Sequence, residues 1–359
     1  MSANSEETPA SSTSAKSASA DCTLANPTPA NPTLAELGEH AVIEHIRAAA
    51  PSSRNGDDAA VIAMTTPNAR FVASTDMLVE NRHFTFDWSE PEHIGAKAAI
   101  QNFADIEAMG ARPTALLFGI AAPPETPVEI IAGIARGLWE QGSQCPAELV
   151  GGDVARADAV MLSITAMGEL GGPVPPLRRS GARPGDIVIA SGTIGYSAAG
   201  LALLEHYGAP GQVPERFTPL VQRHLVPEFE YGRGAIARAA GASSLTDISD
   251  GLAIDAAEIA AASGVVIDLD PEAIAADELL LEAAEHLGVD AKVWVLNGGE
   301  DHVLLGTTNG QPPTGFRKLG RVTKSAAHPG EYSATAALKA GCITIAGTPV
   351  ATSSAWVAF

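Results

Sequence analysis

The sequence predicts a mixed α/β and α+β fold in two halves. Three observations point there. Apolar, β-branched runs alternate with helical stripes, several of which open on capping signals. A stretch rich in Gly, Pro and Arg, from Gly171-Gly172-Pro173 through Arg183-Pro184-Gly185, interrupts the pattern near the middle and reads as a domain boundary. The chain has 359 residues, enough for two domains of ordinary size. The expected division is a disordered tail at 1–32, an N-terminal domain at 33–170 and a C-terminal domain at 171–359.

Residues 1–32 are Ala, Ser, Thr, Pro and Asn with few large apolar side chains, too little to order a chain, and they lack the basic start and apolar core of a signal peptide. Thr33-Leu34-Ala35-Glu36 is a capping box, and Leu37, Val42, Ile43 and Ile46 continue a helical stripe to Ala50, where Pro51 stops it. Strands are expected at about 59–64 and 70–76. Ser89-Glu90-Pro91-Glu92 opens a helix that Gly110 closes after Met109. On it Lys97, Gln101 and Asp105 recur at four-residue steps and so share a face. A strand near 114–121, a helix from the Thr126-Pro127-Val128-Glu129 box to about 142, and strands near 147–150 and 158–169 complete this half.

Beyond the boundary, strands are expected at Asp186–Ala190 and Val265–Leu269. Helices are expected at Gly195–His206, Pro227–Ala240, Asp250–Ser263 and Asp277–Leu287. Trp294 to Gly306 reads as strand-turn-strand around Gly298-Gly299-Glu300-Asp301, and short strands follow. No short-period repeat is present, which excludes a solenoid.

A net charge of −20 argues against a nucleic-acid backbone or an anionic membrane as partner. No apolar run is long enough to span a bilayer. The three cysteines, Cys22, Cys145 and Cys342, form no C-x-x-C and fit a reducing cytoplasm.

Carboxylates and hydroxyls gather at element ends. Phe71 to Asp76 is a strand ending in Ser74-Thr75-Asp76; Gly56-Asp57-Asp58 lies upstream, and Asp105, Gly151-Gly152-Asp153 and Asp247-Ile248-Ser249-Asp250-Gly251 lie downstream. Singly, each has a bland reading as a turn, a strand end or an N-cap. Asp105 is more telling, because a lone acid on an Ala- and Ile-rich helix is costly to bury unpaired; Lys97 offers it a partner. Together they are hard oxygen donors suited to Mg²⁺, which takes only one or two carboxylates per ion. Several stations then imply several ions, and several ions a polyphosphate.

In order and spacing, Gly56-Asp57-Asp58, Ser74-Thr75-Asp76, His83-Phe84, Lys97-Ala98, Asn102, Asp105, Ala108-Met109-Gly110, Gly151-Gly152-Asp153, Arg179-Ser180-Gly181, Arg223-His224-Leu225, Asp247 to Leu252 and Gly298-Gly299-Glu300-Asp301 resemble the thiamine-monophosphate kinases. The likeness covers nearly all of 33–359. It implies the two-domain fold shared with aminoimidazole ribonucleotide synthetase, selenophosphate synthetase and the hydrogenase maturation dehydratase, with an N-terminal α/β domain that pairs in a homodimer and a C-terminal α+β domain. It implies ATP-dependent conversion of thiamine monophosphate to thiamine diphosphate, by direct transfer of the γ-phosphate with several Mg²⁺ ions, in the cytoplasm. The implied metal ligands are Asp58, Ser74, Thr75, Asp76, Asp105, Asp153, Asp247 and Asp250, with Asp76, Asp105 and Asp250 at the chemistry. Gly152, Asp153, Arg179 and Ser249 would touch the nucleotide; His83, Glu300 and Trp356 would hold the acceptor, Trp356 by stacking on its ring.

Two positions depart from the family pattern. Cys145 stands where an aromatic residue often meets the nucleotide, and Ala358 replaces a His near the end. Selenophosphate synthesis is disfavoured because no Cys-Lys pair opens the chain, and the maturation chemistry because it ends in Phe359 rather than a cysteine. A non-catalytic Mg-nucleotide scaffold is the alternative from another class; loss of the acidic stations would favour it, and nearly all are present. Because the tail lacks apolar anchors, deleting residues 1–30 is expected to leave activity intact; a truncated protein that folds but cannot turn over would show that the tail does more.

Overall fold

The computed structural model describes residues 31–53, 64, 67–325 and 338–350. The expected tail up to residue 30, the Gly56-Asp57-Asp58 turn, nearly all of the expected strand at 59–64 and Trp356 lie outside the described residues.

The Thr33 box forms as expected, with Glu36 N–H donating to Thr33 Oγ1 at 3.3 Å and Thr33 N–H to Glu36 Oε2 at 2.9 Å. The helix it opens is broken: α1 (Leu34–Leu37) ends at Gly38, whose φ of 74° only glycine adopts readily, and α2 (Glu39–Ala49) follows. Strand β1 (Arg70–Val79) runs three residues beyond its expected end. Helix α3 (Pro91–Ala108) is capped by Glu90, one residue later than expected, because Pro91 takes the first helical position. Strand β2 (Arg112–Ala122) leads to α4 (Val128–Ser143); here Pro127 occupies the cap, so the expected Thr126 capping bond does not form. Strands β3 (Glu148–Arg156) and β4 (Met161–Leu170) complete a four-stranded sheet in the order β1-β4-β2-β3. Only β2 and β3 are parallel.

Helices α3 and α4 cover one face of this sheet and touch backbone to backbone. A Cβ on Gly95 would lie 2.0 Å from the Ile134 carbonyl oxygen, and one on Gly137 would lie 2.1 Å from that of Glu92. On the other face Phe71, Met77 and Leu117 are exposed among the described residues.

The second sheet has seven strands and begins with β5 (Ile187–Ser191). Helices α5 (Tyr196–Tyr207), α6 (Thr218–Leu225) and α7 (Arg233–Ala239) follow. Then come β6 (Ala242–Asp247), α8 (Leu252–Ser263), β7 (Val265–Leu269), α9 (Glu278–Leu287) and α10 (Ala291–Asn297). Strands β8 (Leu304–Thr308), β9 (Phe316–Lys324), β10 (Ile343–Ile345) and β11 (Thr348–Pro349) finish the order β11-β10-β7-β9-β5-β8-β6. Two expectations fail here. Pro227–Ala240 is not one helix: α6 comes earlier and α7 starts only after Gly232, at φ 85°. Trp294 is not on a strand, because Asp290 caps α10 by accepting from Lys292 N–H at 2.9 Å.

The two sheets meet on α3. Ala108, Leu177, Ala237, Ala242, Leu245 and Leu304 form a small core at the junction. Beside it the buried Glu107 carboxylate accepts from Gly232 N–H at 2.8 Å and Gly234 N–H at 2.6 Å, capping α7 from the other half. Among the described residues no helix is long and apolar enough to cross a membrane. Glu107→Ala would strip the acceptor from two amides and should cost about 2–4 kcal/mol. Glu107→Gln, which keeps one acceptor oxygen, should cost less. Urea unfolding of the three proteins checks the order.

Candidate active site

The polar stripe of α3 faces the junction, as its spacing predicts. Strand β1 runs beside it, and alternation puts Ser74 and Asp76 on the helix side of the sheet. Ser74 Oγ donates a short hydrogen bond to Asp105 Oδ2, and Gln101 hydrogen-bonds to Asp76. The third carboxylate, Asp247, comes from the end of β6 and meets His302 Nδ1 at 3.2 Å. Burial pushes the Asp105 carboxyl up to about 7, the Asp247 and Asp76 charges adding to the rise. Asp76 is raised mainly by burial and further by Asp247, against the pull of His302. His302 is itself raised: burial would lower it, and the Asp247 carboxylate more than reverses that.

Two loops are stitched together around this group. Ile248 N–H donates to Val303 O, Glu300 N–H to Ser249 O and His302 N–H to Ile248 O, each at 2.8 Å. Glu300 and His302 both hold positive φ, 62° and 53°, which non-glycine residues adopt only under constraint. The constraint is visible at each. Lys97 Nζ pairs with Glu300 Oε2 at 2.6 Å, so although burial alone would raise it, the Glu300 carboxyl is held at about 2. Asp301 accepts from Gly195 N–H at 2.6 Å and Ser197 N–H at 3.1 Å at the start of α5. Asp255 does the same for the other loop, accepting from Gly251 N–H at 3.0 Å and Asp250 N–H at 3.1 Å.

Two cavities open on either side. One, about 470 Å³, is lined by Ser74, Asp105, Arg179, Ser180, Thr246 and Asp247. The other, about 490 Å³, is lined by His83, Trp88, Lys97, Leu201, His224 and Glu300, among others. His83 Nδ1 accepts from Val79 N–H at 3.1 Å, which in the neutral ring leaves the proton on Nε2. Arg179 sits at the first cavity with Nε on Thr246 Oγ1 at 3.1 Å and an ion pair to Glu258 at 2.8 Å.

The structure therefore brings Ser74, Asp76, Asp105 and Asp247 together, with Arg179 and Ser249 beside them and His83 and Glu300 sharing the second cavity. Others stand apart. Thr75 points to the opposite sheet face, where it donates to Ile164 O at 3.0 Å and accepts from Thr165 Oγ1 at 3.0 Å. Asp76 is level with Gly152 through Ile164 and Phe118, three strand spacings or about 14 Å away. Gly152 and Asp153 therefore lie across the sheet from the carboxylates, and Asp153 is exposed, as is Asp250. Asp58 and Trp356 are outside the described residues. Cys145 packs against the N-terminal core, where burial pushes its thiol up to about 12. Lys97 does not pair with Asp105, two turns away, but with Glu300. His302, His224 and Asp301 carry no site role in the sequence reading; the local signal was their nearness to Glu300 and to the Arg223-His224-Leu225 motif.

Among the described residues no group of three or more His, Cys, Asp or Glu stands close enough to hold an ion by itself. The donor chemistry nonetheless fits a hard divalent cation: the Asp247 charge raises Asp76 and Asp105, and the Asp76 charge raises Asp105, a penalty a cation would relieve.

Fold and site define the AIR synthase-related class. The models for the N-terminal and C-terminal domains of AIR synthase related protein match residues 56–170 and 183–297. The thiamine-monophosphate kinase of Corynebacterium glutamicum is 56% identical over 292 residues, covering 81% of this chain and 88% of that protein. That of Mycobacterium tuberculosis is 46% identical over 295 residues, covering 80% and 86%. The solved structure of AaThiL complexed with AMPPCP and TMP superimposes with a TM-score of 0.68 at 29% identity, over 88% of this chain and 95% of that one. The chain belongs to the thiamine-monophosphate kinase family.

The Lys97–Glu300 pair is buried and joins the two halves. Lys97→Ala should cost about 3–5 kcal/mol, since Glu300 is left charged and unpaired. Adding Glu300→Ala should recover part of that loss. A double-mutant cycle on chemical unfolding reads the difference; strict additivity would show that the two side chains act independently.

Proposed function

We propose that this chain transfers the γ-phosphoryl group of ATP to the phosphate of thiamine monophosphate, yielding thiamine diphosphate and ADP. The observation that carries the reading is the acidic group at the junction of the two sheets, half-buried Asp76 and Asp105 with buried Asp247, beside the two cavities. A family relative was solved with AMPPCP, an ATP analogue, and TMP. The nucleotide is assigned to the cavity of Arg179 and Ser180, with Ser249, Gly152 and Asp153 as further contacts. The acceptor is assigned to the cavity of His83 and Glu300, with Trp356 as a further contact.

An oxygen of the acceptor phosphate forms its bond to the γ-phosphorus as the bond from that phosphorus to the ADP oxygen breaks. The attacking oxygen is already anionic, so no strong general base is needed, and the protein's task is alignment and charge neutralisation. Asp76, Asp105 and Asp247 would hold Mg²⁺, with Asp58 and Ser74 as further ligands; Thr75, Asp153 and Asp250, which stand apart from this group, are assigned to additional Mg²⁺ ions. Bound Mg²⁺ would screen the two phosphate chains from each other and from a chain of net charge −20. Lys97 keeps Glu300 ionised at the acceptor cavity, and His302 fixes Asp247.

The face of the first sheet on which Phe71, Met77 and Leu117 are exposed supports a homodimer in which a second copy covers it. The boundary between the two domains is assigned to residue 171, with the reacting groups between them. Cys145 and Cys342 are free thiols, in keeping with the cytoplasm.

The purified protein should convert ATP and thiamine monophosphate to equal amounts of ADP and thiamine diphosphate with Mg²⁺, and stop on chelation. ADP without thiamine diphosphate would sink the acceptor assignment. Asp76→Asn should lower kcat at least about 100-fold, while its melting temperature in metal-free buffer should hold or rise, because one charge leaves a crowded group. Undiminished turnover in Asp76→Asn would remove the carboxylates from the mechanism.

A further inference from the structure

We infer that Trp88 is the aromatic wall of the acceptor cavity and determines specificity for the acceptor's ring; this deepens the assignment of that cavity to thiamine monophosphate and rests on it. Trp88 lies in the loop between β1 and α3 and is half-buried. Its indole Nε1–H donates to the Gly208 carbonyl at 3.0 Å, at the end of α5 in the other half. Its ring also packs against the core of the second sheet. A polar anchor at one point and an apolar seat at another fix the ring plane without rotamer freedom, which is what a stacking platform requires.

The same ring lines the cavity together with Asp87, Lys97, Glu205 and Glu300. Lys97 is neutralised by Glu300, so two exposed carboxylates, Asp87 and Glu205, set the field next to the indole. An aromatic face flanked by carboxylates recognises a flat, cationic ring, and the thiazolium of thiamine monophosphate is one. Phe84 lines the cavity too, but it is buried and already engaged edge-to-face with Phe86 at 5.5 Å. A cavity of about 490 Å³ is within the range that encloses a ligand of this size.

A domain clamp is the competing role for Trp88, because its hydrogen bond joins the two halves. Three variants separate the two. Trp88→Leu and Trp88→Ala remove the aromatic face; Trp88→Phe keeps a face and removes the N–H. Stacking predicts a KM for thiamine monophosphate raised about tenfold in the Leu and Ala variants and within about threefold of wild type in the Phe variant, with the KM for ATP unchanged in all three. Calorimetric titration of thiamine monophosphate without nucleotide should show the same order. An unchanged KM in Trp88→Leu overturns the proposal. So does a Phe variant as impaired as the Leu variant, with both KM values rising and the melting temperature falling, which is the signature of the clamp. If Trp88→Ala fails to fold, the Leu and Phe pair carries the test. A wild-type protein that turns over ATP yet never phosphorylates thiamine monophosphate overturns the assignment of the cavity itself, a different failure from any of these.

Discussion

Negative charge held in a poorly solvated junction is the constraint on which the rest of the structure depends. Desolvating a carboxylate costs several kcal/mol unless something repays it, and this junction gathers Asp76, Asp105, Asp247, Glu300 and Asp301. The fold answers in two ways. Glu300 and Asp301 are repaid inside the protein, the first by Lys97 and the second by two backbone amides of α5. Among the described residues Asp76, Asp105 and Asp247 receive a hydroxyl, an amide side chain and the His302 imidazole, and burial and repulsion still leave Asp76 and Asp105 raised. That difference separates scaffold from site. The repaid acids lock the loops; the under-compensated ones are where a cation or a polarised ligand gains most.

Holding such a group requires backbone that does not yield. Helix α3 is buried on most of its length and touches α4 so closely that a methyl at Gly95 or Gly137 would enter a carbonyl oxygen. The 298–303 loop carries left-handed conformations at Glu300 and His302, each pinned by a backbone bond to the 247–251 loop. Neither loop would keep this shape alone. Their pairing makes one unit of two motifs more than forty residues apart in sequence, fixed to the N-terminal half through Lys97.

Much of this was legible in the sequence, for physical reasons. Four-residue spacing put Lys97, Gln101 and Asp105 on one face of α3, and strand alternation separates Ser74 and Asp76 from Thr75, although the ligand set implied by resemblance included all three. Long-range partners were not legible. Lys97 looked like a partner for Asp105 because only local spacing was available; its real partner comes from a loop 203 residues further on. Trp294 looked extended because apolar runs fit a buried strand as well as a short helix, and the cap that decides, Asp290, is a single residue. The Asp153 station read as a neighbour of Asp76 because both end apolar runs, yet strand order places them on opposite sides of a sheet.

On the proposed assignment of the two cavities, the geometry of α3 also bears on where the two ligands would meet. Lys97 lines one cavity and Asp105 the other, eight residues apart, which along a helix is about 12 Å. Gln101 lies halfway and holds Asp76. On the proposed assignment, reacting groups entering from the two cavities would converge near Asp76, which lines neither cavity. Transfer in line needs the nucleotide's terminal phosphate and the acceptor's phosphate to approach within a few ångströms from opposite directions. Helix α3 carries Lys97 at one cavity and Asp105 at the other, with Gln101 between them reaching Asp76 on β1. On that assignment, the stripe that sequence spacing reveals on α3 would set the distance between donor and acceptor.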